Sequence, residues 1–142
     1  MTPEQVAIVQ RTATMVARDG DRFARAFYDH LFERRPSARC LFPEEVDLQR
    51  SRLVEEILLL VAAAADLPSF LQRARELGRR HQGYGVQTDD YAFVGDALVA
   101  AVAVVAAAEW STEVEAAWRR TYVLISEAML EGGQAGLFTD PA

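Results

Sequence analysis

The chain contains one cysteine, Cys40, and two histidines, His30 and His81, and it has no glycine-rich loop that would cradle a phosphate. A single thiol cannot close an intramolecular disulfide, so packing must hold the fold, and a reducing, cytoplasmic setting is expected. Two histidines without a cysteine pair fall short of the three or four side chains that a protein-only metal site usually needs. No HExxH motif and no acidic cluster of ligand spacing makes up the difference. No serine or cysteine sits near a base in sequence, and no carboxylate pair can be assigned to acid–base work. The longest uncharged apolar run, Ala97 to Ala108, is too short to cross a bilayer and reads as a buried helix. The opening residues, MTPEQVAIVQR, lack the basic start and apolar stretch of a secretory signal. Lysine and arginine number 15 against 21 acidic residues, a net charge of −6, the wrong sign for a nucleic-acid surface.

What remains is an ordinary globular composition. The 142 residues are 51% apolar and 25% charged, enough for one domain with a real core, 1–142. Alternation of period two is absent; Ala, Leu, Arg and Glu dominate, and the whole chain reads as helix. Thr2-Pro3-Glu4-Gln5 has the form of a capping box and opens a helix that ends near Gly20. A second helix runs to Arg35, where Pro36 stops it and opens a short third one to about Leu41. Pro43 leads a long helix over 44–65, and a further one covers 69–81 after Asp66-Leu67-Pro68. Thr88-Asp89-Asp90 caps a helix to about Ala108, and Ser111-Thr112-Glu113 caps the last, which ends near Gly132-Gly133 and leaves 132–142 as a loose tail. Six to seven unequal helices with proline corners suit an irregular all-α fold better than an up-down bundle.

Four polar residues stand where the helical period asks for core. Gln49 follows Val46 and precedes Leu53, Ile57, Leu60 and Ala64; His81 ends the stripe Phe70, Ala74, Leu77; Tyr91 leads Val94, Leu98, Ala101 and Val105; Tyr28 lies beside Phe23, Phe27 and Leu31. A buried polar group without a partner costs on the order of 1–3 kcal/mol. Taken singly, each has an ordinary reading: a hydrogen-bonded core histidine, a tyrosine with a wet hydroxyl, a glutamine turned sideways to water. One histidine suffices for a metal only if a cofactor supplies the other ligands, as a haem does. His30 points away from the Tyr28 face, whereas His81 has Gly78, Gly83 and Gly85 nearby, which would let a flat group approach the backbone.

The stretch from Leu77-Gly78-Arg79-Arg80-His81 through Val86, with Tyr91 and Val94-Gly95 after it, resembles the proximal region of bacterial single-domain globins and of the haem domain of flavohaemoglobins, and more loosely neuroglobin. Phe27-Tyr28-Asp29, Leu41-Phe42-Pro43 and Trp118 with Tyr122 resemble further landmarks of that group over about residues 4 to 131. The spacings agree: 14 residues from Tyr28 to Phe42, 32 from Gln49 to His81, 10 from His81 to Tyr91.

The resemblance implies an all-α globin fold, a three-over-three helical sandwich, carrying haem b. His81 would be the proximal iron ligand. Phe42, Leu53, Leu77, Val86 and Val94 would wall the haem, and Tyr91 would orient the His81 ring from the proximal side. Tyr28 and Gln49 would donate to bound dioxygen, which gathers partial negative charge, so slow release is expected. Arg52 or Arg80 would meet a propionate, with a solvated arginine as the alternative. Counted from Trp118, the last-helix glutamate that flavohaemoglobins use beside the proximal histidine falls on Ala135, with Glu131 one turn short. The functions implied are reversible binding of O2, NO and CO, or nitric oxide dioxygenation with a separate reductase; a haem-based sensor is least favoured, since no reductase or output domain is expected within 142 residues. A homodimer is compatible with the resemblance.

Overall fold

The computed structural model describes residues 1–41 and 46–139; for 46–48 and 134–139 only the backbone is described. Six α-helices follow one another: α1 Pro3–Arg18, α2 Gly20–Arg34, α3 Val46–Ala62, α4 Leu67–Gly83, α5 Asp90–Ala106 and α6 Thr112–Thr139. Short 3-10 stretches, Pro36–Leu41 and Ala107–Glu109, turn the chain after α2 and α5. No strand occurs among the described residues. The expected corner at Phe42 and Pro43 lies outside them.

The starts of the helices follow the local chemistry. Thr2 Oγ1 accepts from the Gln5 backbone N–H and the Gln5 side chain accepts from the Thr2 N–H, the reciprocal box expected there. Ser111 Oγ likewise accepts from Val114 N. The start of α5 differs from expectation. Asp89 makes no side-chain cap; the Asp90 carboxylate instead accepts from Gln87 N at 2.8 Å and from Arg35 Nε at 3.0 Å. α4 begins two residues earlier than the sequence suggested, because Pro68 is accommodated within its first turn.

The largest departure is at the C-terminal side. α6 passes through Gly132-Gly133 and runs to Thr139, where a helix end and a loose tail were expected. The glycines there serve a helix crossing. A Cβ at Gly132 would overlap the Arg75 backbone, and one at Gly78 would overlap the Met129 carbonyl. α4 and α6 thus meet backbone to backbone through glycines of both helices, and α6 is the principal support of α4.

Two buried clusters result. The first joins α1, α2, α5 and the N-terminal half of α6 around Val9, Val16, Phe23, Phe27, Leu31, Val102 and Trp118. Its buried polar groups are satisfied: Trp118 Nε1 donates to Thr12 Oγ1 at 2.8 Å, and the Thr12 hydroxyl donates to the Ile8 carbonyl at 2.8 Å. The second joins the end of α3, α4 and the C-terminal half of α6 around Leu60, Phe70, Ala74 and Met129. Fully burying a side chain such as Phe23 or Phe70 stabilises by about 1.5–3 kcal/mol. The segment Asp90–Glu109, 20 residues, is long and apolar enough by composition alone to cross a membrane. Here it packs on α1, α2 and α6, with Ala97, Leu98, Ala101 and Val102 buried, as a core helix.

Candidate functional site

The stripe on α4 begins in the second core and leaves it. Phe70 and Ala74 are fully buried, while Leu77 and His81, one and two turns on, are half-buried. His81 Nδ1 lies 2.9 Å from the Leu77 carbonyl. A carbonyl only accepts, so Nδ1 carries the proton and Nε2 is left with its lone pair. Nε2 has no partner among the described residues. Burial lowers the pKa of the ring below its usual value, outweighing the opposing pull of the Leu77 carbonyl, and so keeps the ring neutral, the state a metal needs. The Tyr84 ring leans on it at 5.9 Å between centroids. Just beyond, Tyr84 N and Val86 N both donate to the His81 carbonyl, a tight reversal that requires the left-handed backbone of Gly85, φ 85°.

Tyr28 stands on α2 with its side chain buried in the first core. Phe27 meets it edge-on at 5.0 Å and Phe32 stacks on it at 5.7 Å, which fixes the ring. Its hydroxyl reaches α3 and donates to the Gln49 backbone carbonyl at 3.4 Å, a long and weak bond. Burial pushes its pKa up to about 12, with Arg50 pulling the other way, so the phenol remains a proton donor. Gln49 is half-buried beside it. The structure thus sets the Tyr28 hydroxyl against the Gln49 backbone.

These groups lie on three helices. α4 rests mainly on α6 and touches α3 over a short stretch, whereas α2 packs mainly on α5 and α3. The half-buried Leu53 and Val94 fringe the first core; Leu77 and Tyr91 fringe the second; Val86, also half-buried, follows α4 in the connection. Phe42 lies outside the described residues. A haem needs an apolar slot, one neutral imidazole nitrogen without a partner, and a donor for the bound gas. Half-buried apolar side chains at the edges of both cores, His81 Nε2 and the Tyr28 hydroxyl are groups of the kinds those needs call for.

Tyr91 makes no hydrogen bond to His81, whose ring is held by Leu77; the Tyr91 backbone carbonyl instead accepts from Tyr122 O–H at 2.6 Å. Gly95 makes this possible, since a Cβ there would collide with the Tyr122 ring. Glu131 faces outward and pairs with Arg75 at 3.3 Å, so it does not reach the proximal side. The side chain of Ala135 lies outside the described residues. Arg80 turns to Glu56 at 3.8 Å, and Arg52 is exposed. Among the ion pairs that the sequence does not display are Arg35–Asp90 and Arg73–Glu56. Their partners are 55 and 17 residues apart, so no local pattern announces them.

Residues 25–129 match the sequence model of the family described as Globin. The flavohaemoprotein of Bacillus subtilis is 22% identical over 128 residues, covering 88% of this chain and 32% of that protein. The flavohaemoprotein of Bordetella pertussis is 28% identical over an alignment of 146 residues, covering 100% of this chain and 36% of that one. The chain thus spans about a third of the length of the curated relatives it matches. A bacterial globin from Campylobacter jejuni superposes with a TM-score of 0.83 at 20% identity, covering 98% of this chain and 100% of that one. A hexacoordinated haem protein from an anhydrobiotic tardigrade gives 0.84 at 16% identity, covering 94% and 96%. At those identities the two structures speak for the fold alone, and they agree with the all-helical arrangement expected.

Proposed function

This chain belongs to the globin family, and from that premise we propose that it holds haem b through His81 and binds dioxygen reversibly on the side of Tyr28 and Gln49. The observation that carries the reading is the His81 ring: Nδ1 tied to the Leu77 carbonyl, burial keeping it neutral, Nε2 without a partner among the described residues. The haem, when bound, supplies an iron that takes a diatomic gas such as O2, NO or CO. The chain does the rest. The Leu77 carbonyl keeps the proton on Nδ1 of His81 and anchors the ring, so Nε2 would be the atom to hold the iron and would be the better donor for it. Leu53, Leu77, Val86 and Val94 supply apolar walls that exclude water. Tyr28, held by Phe27 and Phe32 and kept protonated by burial, would offer an O–H to the ligand. Its bond to the Gln49 carbonyl is weak enough to be exchanged for a better acceptor.

A second reading is nitric oxide dioxygenation with electrons from a separate reductase. It is favoured by the flavohaemoproteins among the relatives, of which this chain spans about a third, 32% and 36% in the two cases above. Against it stands Glu131, engaged with Arg75 at the surface, so that no described carboxylate of α6 strengthens the His81 ring.

The deciding measurement is the absorption spectrum of the purified chain after haem addition, ferric, ferrous and under CO. An intense Soret band that shifts with CO is expected, and His81→Ala should abolish or badly weaken haem retention. No band, or unchanged retention in the variant, would remove the assignment. Repeated NO consumption by the oxy protein with an added reductase would favour the second reading; one stoichiometric oxidation, the first.

A further inference from the structure

α3 and α4 approach each other over a short stretch, and charge joins them there. Arg73 of α4 donates from Nη2 to Glu56 Oε2 of α3 at 3.3 Å, while Nε and Oε1 stand 3.3 Å apart as an ion pair without hydrogen-bond geometry. Arg80 of α4 comes to the same carboxylate, its Nη2 3.8 Å from Oε1. The Glu56 side chain is only 19% exposed. A carboxylate so enclosed costs free energy unless cations accompany it, and losing them leaves an uncompensated charge. This sets Glu56 apart from pairs such as Arg25–Asp21, where both side chains are mostly in water and the contribution is small.

The placement of the cluster gives it a role. Arg73 and Arg80 are seven residues apart, two turns along one face of α4, and His81 is the next residue. Gln49 and Glu56 are also seven apart, two turns along one face of α3. The helix that carries the proximal histidine and the helix that carries the distal glutamine are therefore tied by one carboxylate set on the Gln49 face. Glu56 lies close enough to His81 for its charge to be felt at the ring.

We propose that Glu56 is a positioning residue: by gripping Arg73 and Arg80 it fixes the separation and register of α3 and α4, and with them the width of the slot between Gln49 and His81. This rests on His81 being the haem ligand. Two measurements on the haem-loaded protein test it: the iron–histidine stretching band of the ferrous, unliganded form by resonance Raman, and the rate of haem transfer to an acceptor apoprotein. Glu56→Gln should shift or broaden the band and speed haem loss roughly tenfold, the equivalent of about 1.4 kcal/mol. Glu56→Asp should recover part of both. If Glu56→Gln does not fold, Arg73→Gln, which leaves Arg80 on the carboxylate, should give the same changes in smaller measure. A variant that melts earlier with its band and haem loss unchanged overturns the proposal and makes the cluster merely a helix tie. A parent chain that takes up no haem sinks the functional reading, and this proposal with it. A loaded parent with an indistinguishable Glu56→Gln sinks only this one.

Discussion

Replacing Tyr28 by phenylalanine removes one hydroxyl and keeps the ring that Phe27 and Phe32 hold in place. Its effect on gas release therefore reports the O–H alone. A hydrogen bond to a partly charged acceptor contributes about 1.5–3 kcal/mol, so dioxygen should leave the variant roughly 10- to 100-fold faster in stopped-flow measurements. An unchanged rate would mean that Tyr28 does not donate. The same hydroxyl can be followed by alkaline titration. Burial pushes its pKa in the folded chain up to about 12, above the 10.0 usual for tyrosine. Between those two values the folded state keeps a proton that the unfolded chain has lost. The stabilising contribution is thus complete below pH 10 and is lost as the pH rises towards 12. The phenolate absorbance that disappears in Tyr28→Phe should be the part that titrates near 12, and an ordinary tyrosine midpoint there would contradict the burial described. Periodicity alone placed His81 and Tyr28 on inward-facing stripes. It left unread which atom holds His81 Nδ1, and that Asp90 takes Arg35 rather than capping its own helix, because both depend on where other segments end up in space.

The crossing of α4 and α6 makes demands of a different order. Gly78→Ala must push the Met129 backbone aside, and forced overpacking of this kind costs typically 1–3 kcal/mol or more. Gly83, at the end of the same helix, has nothing within 4 Å of a Cβ. Gly83→Ala should be neutral or stabilising, by at most about 1 kcal/mol from helix propensity. Urea unfolding of the two variants separates these outcomes, and equal effects would argue against the close crossing. The glycines also show where a sequence misleads. Glycine commonly follows the last turn of a helix, so Gly132-Gly133 reads as a stop. The pair is instead a smooth patch that lets α6 lie on α4, and nothing local distinguishes the two uses. Starts were more legible than ends: Thr2, Pro36 and Ser111 act through neighbours within three or four residues, which sequence displays directly.

Across the molecule as a unit there are two cores, with Leu53 and Val94 packed at the edge of the first and Leu77 and Tyr91 at the edge of the second. The haem proposed for this fold would bind the folded chain and not the unfolded one, and so would add stability by mass action. Free haem at a hundred times its dissociation constant should contribute about 2.7 kcal/mol. For a chain of this size that raises the melting temperature by roughly 10 °C. His81→Ala should lose most of the gain while leaving the apo melting point nearly in place, and scanning calorimetry of the four samples checks both. The overall fold was legible because helix periodicity and proline corners are local, and because the stripes on different helices share one interior. The division of that interior into two cores was not, since it follows from how α6 carries α4. The first core also has an optical consequence. Trp118 is fully buried and its indole N–H is bonded to Thr12, whereas Trp110, the second of two tryptophans, is partly exposed. Once Trp110 is changed to phenylalanine, the remaining emission is a single-site gauge of the first core. Its blue-shifted colour reports whether α1 and α6 are still together, and quenching by energy transfer reports the arrival of haem, so folding and loading can be timed separately without any added dye.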